Sequence, residues 1–260
     1  MALPAPLTAR RRSHIPSRYC LVLMALSLGH EAAAQEKDHV EIGLGAAALP
    51  RFEGSDEYRA RLAPLVDVRK GRFFARTSDG IGLNLLETPR FTIGASVAWM
   101  PGYRGRDVPD GIGKLSAALG GRVFVSTRVG GAVATLSATQ ALTESERGLL
   151  VNARVAYPYQ VTERLKVTPL ISTNWANGKY MDSYFGVDAA RAAGSGFPVY
   201  QPSAGFKDIS LRVAVRYQLN KHWSVAGAVG VSRLLGKAAD SPFVKRETQP
   251  SALVGLTYTF

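Results

Sequence analysis

Few side chains in this 260-residue chain could do chemistry. It has four histidines and one cysteine, and His14, His30 and Cys20 fall within the first 34 residues, a basic and then apolar segment. His39 and His222 are left as candidate bases. A nucleophilic hydrolase would hold one of them between a serine and a carboxylate. His39 stands at the start of an alternating run, and His222 lies between Lys221 and Trp223 in a polar turn, so both read as polar residues at strand ends. Carboxylates occur as Asp56-Glu57 and singly at Asp182, Asp188 and Asp240. Paired acids can share general acid and base work, but all of these fall in hydrophilic connections, where a solvated charge is the ordinary state. Gly120-Gly121 and Gly130-Gly131 do not join a strand to a helix in a βαβ unit, so they are not phosphate loops. They read as bends and turns of a closing sheet. No catalytic, cofactor-binding or metal-ligating residue is assigned, and the chain is expected not to be an enzyme.

The elements that carry these residues are strands. From Ile209, the residues Leu211, Val213, Val215, Tyr217 and Leu219 form one face, against Ser210, Arg212, Arg216, Gln218 and Asn220 on the other. Period-two alternation is the signature of a strand with one apolar and one wet face. It recurs in Leu165, Val167, Ile171 and Trp175, in Phe91, Ile93, Ala95, Val97 and Trp99, and in Tyr58, Ala60, Leu62, Val66 and Val68. A soluble sandwich would alternate too. These runs, however, last about ten residues, the length that crosses a bilayer at a tilt, and sandwich strands are nearer six. Trp99, Tyr157, Trp175, Tyr217, Trp223 and Tyr258 sit at strand ends, as interfacial girdles require. The chain closes on Ala252, Val254, Leu256, Tyr258 and Phe260, an alternating strand with a terminal aromatic.

The connections alternate as well. Short ones at Lys70-Gly71, Glu87 to Arg90, Val129 to Gly131, Val161 to Glu163 and Asn220 to His222 interleave with mostly longer ones at Pro50 to Glu57, Ser78-Asp79, Pro101 to Gly113, Gln140 to Glu146, Ala176 to Lys207 and Leu235 to Gln249. Short periplasmic turns and longer outer loops are the pattern of transmembrane barrels. The expected fold is an all-β, transmembrane, antiparallel up-and-down β-barrel of twelve strands with both termini periplasmic. Ten strands is the alternative count, because Arg72 to Leu86 could form one bent unit and the Ala132 to Ala138 strand has an ambiguous face.

Arg10 to Arg12 and Arg18 precede an apolar run from Tyr19 to Leu28 and then Ala32-Ala33-Ala34. This is the layout of a secretory signal peptide, and the run is too short for a spanning helix. Residues 1–34 are therefore expected to be a leader cleaved near Ala34 on the general secretory route, and residues 35–260 a single outer-membrane barrel domain. Cys20 leaves with the leader, which excludes disulfides and cysteine-based metal sites from the mature chain. Net charge falls from +12 to +9 on losing four arginines and Glu31. An exported basic protein meets lipid phosphate and lipopolysaccharide rather than nucleic acid.

If the apolar faces point to lipid, then Arg59, Arg61, Arg69, Arg122, Arg154, Lys166, Arg212 and Arg216 point inward. Asp67, Asp79 and other acids are the expected counter-ions in a polar plug, since buried charge needs a partner. An anion-preferring channel is the other outcome. The connection from Ala176 to Lys207 carries Tyr180, Tyr184, Phe185, Phe197 and Tyr200, so it is expected to fold over the barrel mouth, with a helical turn at Asp188 to Ala193.

Gly54-Ser55-Asp56-Glu57-Tyr58, Ser183-Tyr184-Phe185-Gly186-Val187 and Leu235-Gly236-Lys237-Ala238-Ala239-Asp240-Ser241-Pro242 resemble, in order and spacing, the MipA/OmpV family of outer-membrane proteins. Lys237 departs from the pattern, which has an acidic residue there. The resemblance spans essentially the whole mature chain. It implies a Gram-negative outer-membrane barrel without catalytic residues, one member of which is a scaffold joining a lytic murein transglycosylase to a bifunctional murein synthase. Other members are linked to adhesion or to antibiotic response. Three readings follow, namely a peptidoglycan-enzyme scaffold, a diffusion channel or solute-binding barrel with a basic lumen, and a surface adhesin.

Overall fold

A computed structural model describes residues 38–260, so the signal-peptide expectation lies outside the described residues. Thirteen strand segments occur in chain order: β1 (His39–Pro50), β2 (Tyr58–Lys70), β3 (Phe73–Arg76), β4 (Gly80–Glu87), β5 (Phe91–Met100), β6 (Ala118–Val129), β7 (Ala132–Ala141), β8 (Leu149–Ala156), β9 (Tyr159–Gln160), β10 (Leu165–Ala176), β11 (Gly205–Gln218), β12 (Trp223–Leu234) and β13 (Thr248–Thr259). Each pairs antiparallel with its neighbour, and β13 returns to β1 through Leu256↔Leu44 and its flanking pairs. Tyr157-Pro158 interrupts one strand to give β8 and β9, which both pair with β10. Proline cannot donate to the ladder, and the break falls there. The result is a closed barrel of twelve strands. Every strand thus has hydrogen-bonded neighbours, the condition for a sheet in a bilayer, except that the short β3 leaves the loop-end part of β2 without a partner on that side.

The alternation fixes what faces where. Leu44, Leu62, Val123, Val229 and Val254 all point outward, and Leu62 is 77% open to the surroundings. So many exposed large apolar side chains would be a liability in water; around a barrel they form the lipid-facing band. At the end with the short turns, Trp223, Tyr258 and Phe260 pack edge to face, with ring centroids about 5 Å apart, and His222 stacks on Tyr258. At the other end Trp99 faces outward near the end of β5. The ambiguous strand, β7, turns Leu136 outward and buries Thr135 and Ser137.

The expected connections are present at both ends, with one local difference. β3 is only four residues long and the β3–β4 tip, at residues 77–79, stops part-way up the wall. Arg72 to Leu86 is thus neither one bent strand nor a full-height hairpin. At the tip, Asp79 turns inward onto two lumenal arginines from distant strands, Arg122 and Arg154.

Candidate functional site

Four of the longer connections converge on one apolar cluster at the loop end. Phe52 comes from the β1–β2 loop and Tyr103, Val108 and Ile112 from the β5–β6 loop; Tyr180, Met181, Tyr184 and Phe185 come from helix α1 (Gly178–Phe185), and Phe243 from the last loop. α1 forms because Asn177 caps it, its side-chain oxygen accepting from the Tyr180 N–H at 3.0 Å. The same oxygen accepts from the Leu149 N–H, which ties the helix to the top of β8. Tyr180 and Tyr184 stack at 5.9 Å, and Tyr103 meets Tyr184 edge to face at 5.4 Å. Such pairs contribute about 0.5–1.5 kcal/mol beyond area burial. Together the loops make a packed stopper across the mouth. A second helix, α2 (Ala189–Ser195), starts where a helical turn is expected, with Asp188 as its cap.

Polar contacts hold the stopper in register. The fully buried Arg147 donates to the Pro101 and Ser116 carbonyls, each at 2.6 Å, and its guanidinium lies 5.7 Å from the Tyr184 ring. Ser241 donates to the Phe185 carbonyl at 2.7 Å, and Gln249 to the Ser55 carbonyl at 3.0 Å. Arg59 Nη1 donates to both carboxylate oxygens of Asp107 at 2.6 Å, and buried Lys207 meets Glu53 and Asp208. Burial pushes the Tyr180 phenol up to about 12 and Tyr184 well above its ordinary range, so both are neutral at physiological pH.

Beneath the stopper is a polar chamber of about 200 Å³ bordered by Tyr180, Asn152, Asn174, Asp79, Arg122 and Arg154. Asp79 is its hub, 3.0 Å from Arg122 and 3.0 Å from Arg154. Lower down, Arg69 meets Glu87 at 2.7 Å, Arg216 meets Glu41, and Arg76 meets Asp67 at 3.1 Å. Arg122 and Arg76 also lie over Phe124 and Phe74, whose rings pack edge to face at 5.8 Å. The inward cations are thus mostly compensated. Asp79 is a counter-ion as expected, but Asp67 serves Arg76 and His39 rather than the arginines considered from sequence. Lys166 and Arg212 face inward and make no ion pair among the described residues.

The candidate catalytic side chains are not brought together. His39 lies 3.2 Å from Asp67, whereas His222 meets the Thr259 carbonyl at 3.0 Å. Asp56 faces Lys245 at 3.8 Å, Glu57 faces Arg51 at 3.0 Å, and Asp240 faces Lys237 at 3.4 Å. The Asp188 side chain caps α2, accepting from the Arg191 N–H, and Asp182 lies within α1. Among the described residues, no three His, Cys, Asp or Glu side chains are grouped to hold a metal. Arg147 was invisible to sequence reasoning, because one arginine in a polar connection looks solvated.

The family model described as "MltA-interacting protein MipA" matches residues 42–260. The protein named "Putative outer membrane protein YiaT" in Escherichia coli (strain K12) is 23% identical over 251 residues, spanning 94% of this chain and 99% of that protein. Similar solved structures include the KdgM porin, at TM-score 0.44 and 12% identity, covering 85% of this chain and 99% of that one. A Pseudomonas aeruginosa FadL homologue is similar at TM-score 0.43 and 10% identity, covering 88% and 91%.

Proposed function

Because the chain belongs to the MltA-interacting protein MipA family of outer-membrane β-barrels, we propose that it acts as a non-enzymatic, non-conducting platform for murein-remodelling enzymes. Its long loops face the outside, and its short turns and both termini face the periplasm. The observation that carries this reading is the stopper, with Phe185, Met181 and Ile112 fully buried at the loop-end mouth. A barrel sealed by an apolar core is built to present surfaces rather than to pass solute. The periplasmic surface is small, since the turns are short, and the Trp223, Tyr258 and Phe260 cluster is its most structured part. Co-purification in mild detergent tests the proposal, with a lytic murein transglycosylase expected to be retained. Recovery of the barrel without any murein enzyme would contradict it.

One observation favours a second reading. Lys166 and Arg212 leave uncompensated positive charge in the lumen, which an anion-selective path would use. Stepwise conductance with anion preference would establish that reading. The adhesin reading gains less, because the aromatic residues of α1 are turned into the stopper and α2 alone of that loop's helices has no buried residue.

A further inference from the structure

The barrel wall is incomplete on one side of its loop-end half. β3 stops at Arg76, opposite Asp67, and β4 begins at Gly80, so β2 beyond Pro64 and β5 beyond Val97 have no strand partner on their facing edges. Thr77 makes the last contacts, donating to the Pro64 carbonyl and exchanging backbone and side-chain bonds with Val66. Pro64 suits such an edge because it has no N–H to leave unpaired. The β5–β6 loop leans toward this notch and is pinned to β2 by Arg59 and Asp107. Between the loop and β2 remains a cavity of about 810 Å³.

Its lining has two chemistries. Arg61, Arg104, Arg106 and Lys114 are exposed along it and make no ion pair among the described residues, and the lining contains no carboxylate. Next to them, Leu62 and Trp99 are 77% and 67% open on the lipid-facing side. Four free cations close together repel one another, so an anion that gathers them is favoured. Arginine forks match phosphate oxygens. A tryptophan at the interface marks headgroup depth, with acyl chains beginning beside Leu62.

We propose that this notch is a lateral binding site for a phosphorylated lipid of the outer leaflet, namely lipopolysaccharide held by its lipid A phosphates. The Arg61, Arg104, Arg106 and Lys114 side chains hold the phosphate, and an acyl chain runs against Leu62 and Trp99. The site rests on the outward orientation of the loops given above, and is independent of any murein partner.

Native mass spectrometry of the purified protein in detergent tests it, with diphosphoryl lipid A, enzymatically dephosphorylated lipid A, phosphatidylglycerol and inorganic phosphate as separate probes. Diphosphoryl lipid A should bind at least tenfold more tightly than the dephosphorylated form. The Arg61→Gln/Arg104→Gln/Lys114→Gln variant should lose that difference, while Lys179→Gln/Lys245→Gln/Arg246→Gln, with as many loop-end cations removed elsewhere, should keep it. Both variants should retain the gel mobility of the folded barrel. Equal binding by wild type and the notch variant, or equal binding of the dephosphorylated lipid, would overturn the site. Binding of inorganic phosphate as tight as that of lipid A would reassign it to a free anion. Tighter binding of phosphatidylglycerol would instead overturn the orientation.

Discussion

At the scale of single residues, the charges inside the barrel are held by specific partners. Asp79 compensates two arginines at once, and both it and Arg122 are nearly inaccessible. Removing one partner of a buried pair typically costs about 3–5 kcal/mol, because the remaining charge is stranded. Asp79→Ala is therefore expected to lower the temperature at which the folded gel band converts to the unfolded one, and Asp79→Ala/Arg122→Ala to recover part of the loss. An unchanged transition in the single variant would remove Asp79 from its place as the hub. The stopper tyrosines give a pH dependence of definite sign. An unfolded tyrosine ionises at about 10, and Tyr180 in the fold only at about 12. A raised folded pKa contributes stability that is fully present below the unfolded value and is lost as pH climbs from about 10 toward 12. Loop-end protection against protease should decline over that window, and phenolate absorbance should lag behind that of an unfolded control.

At the scale of elements, the period-two pattern and the alternation of short and long connections made the strands legible, because a side chain's face is set by local geometry alone. β7 was ambiguous since alanine and threonine suit either face. Nothing local could show that the β3–β4 tip would halt mid-wall, where Asp79 meets Arg122 and Arg154 from more than forty residues away. The aromatic content of the loop before β11 signalled a folded cap and Asp188 to Ala193 marked the start of α2, whereas α1 was not read from the sequence. Assembly of the stopper from four loops depends on contacts between residues far apart in the chain. Gly111 tests that assembly. Its φ is +84°, and a Cβ there would come within 2.2 Å of the Gly194 backbone at the end of α2. Gly111→Val should separate the two loops, so that limited proteolysis cuts within residues 101–117 and 177–204 while the folded-barrel mobility persists. Uncut loops would show that this close approach is not needed.

At the scale of the whole molecule, the class of the protein was legible in the sequence, since long strands with one apolar face and the alternation of short and longer connections are properties of pattern. Whether the lumen conducts was not legible there, because twelve strands lie between barrels filled by side chains and barrels with an aqueous path. The deciding features are tertiary, the stopper above and the compensated arginines below. Planar-bilayer recording of the purified barrel tests that claim most directly. The sealed architecture predicts no stepwise conductance from intact protein, and steps only after residues 178–203 are replaced by a short turn; stepwise conductance from the intact barrel would contradict it.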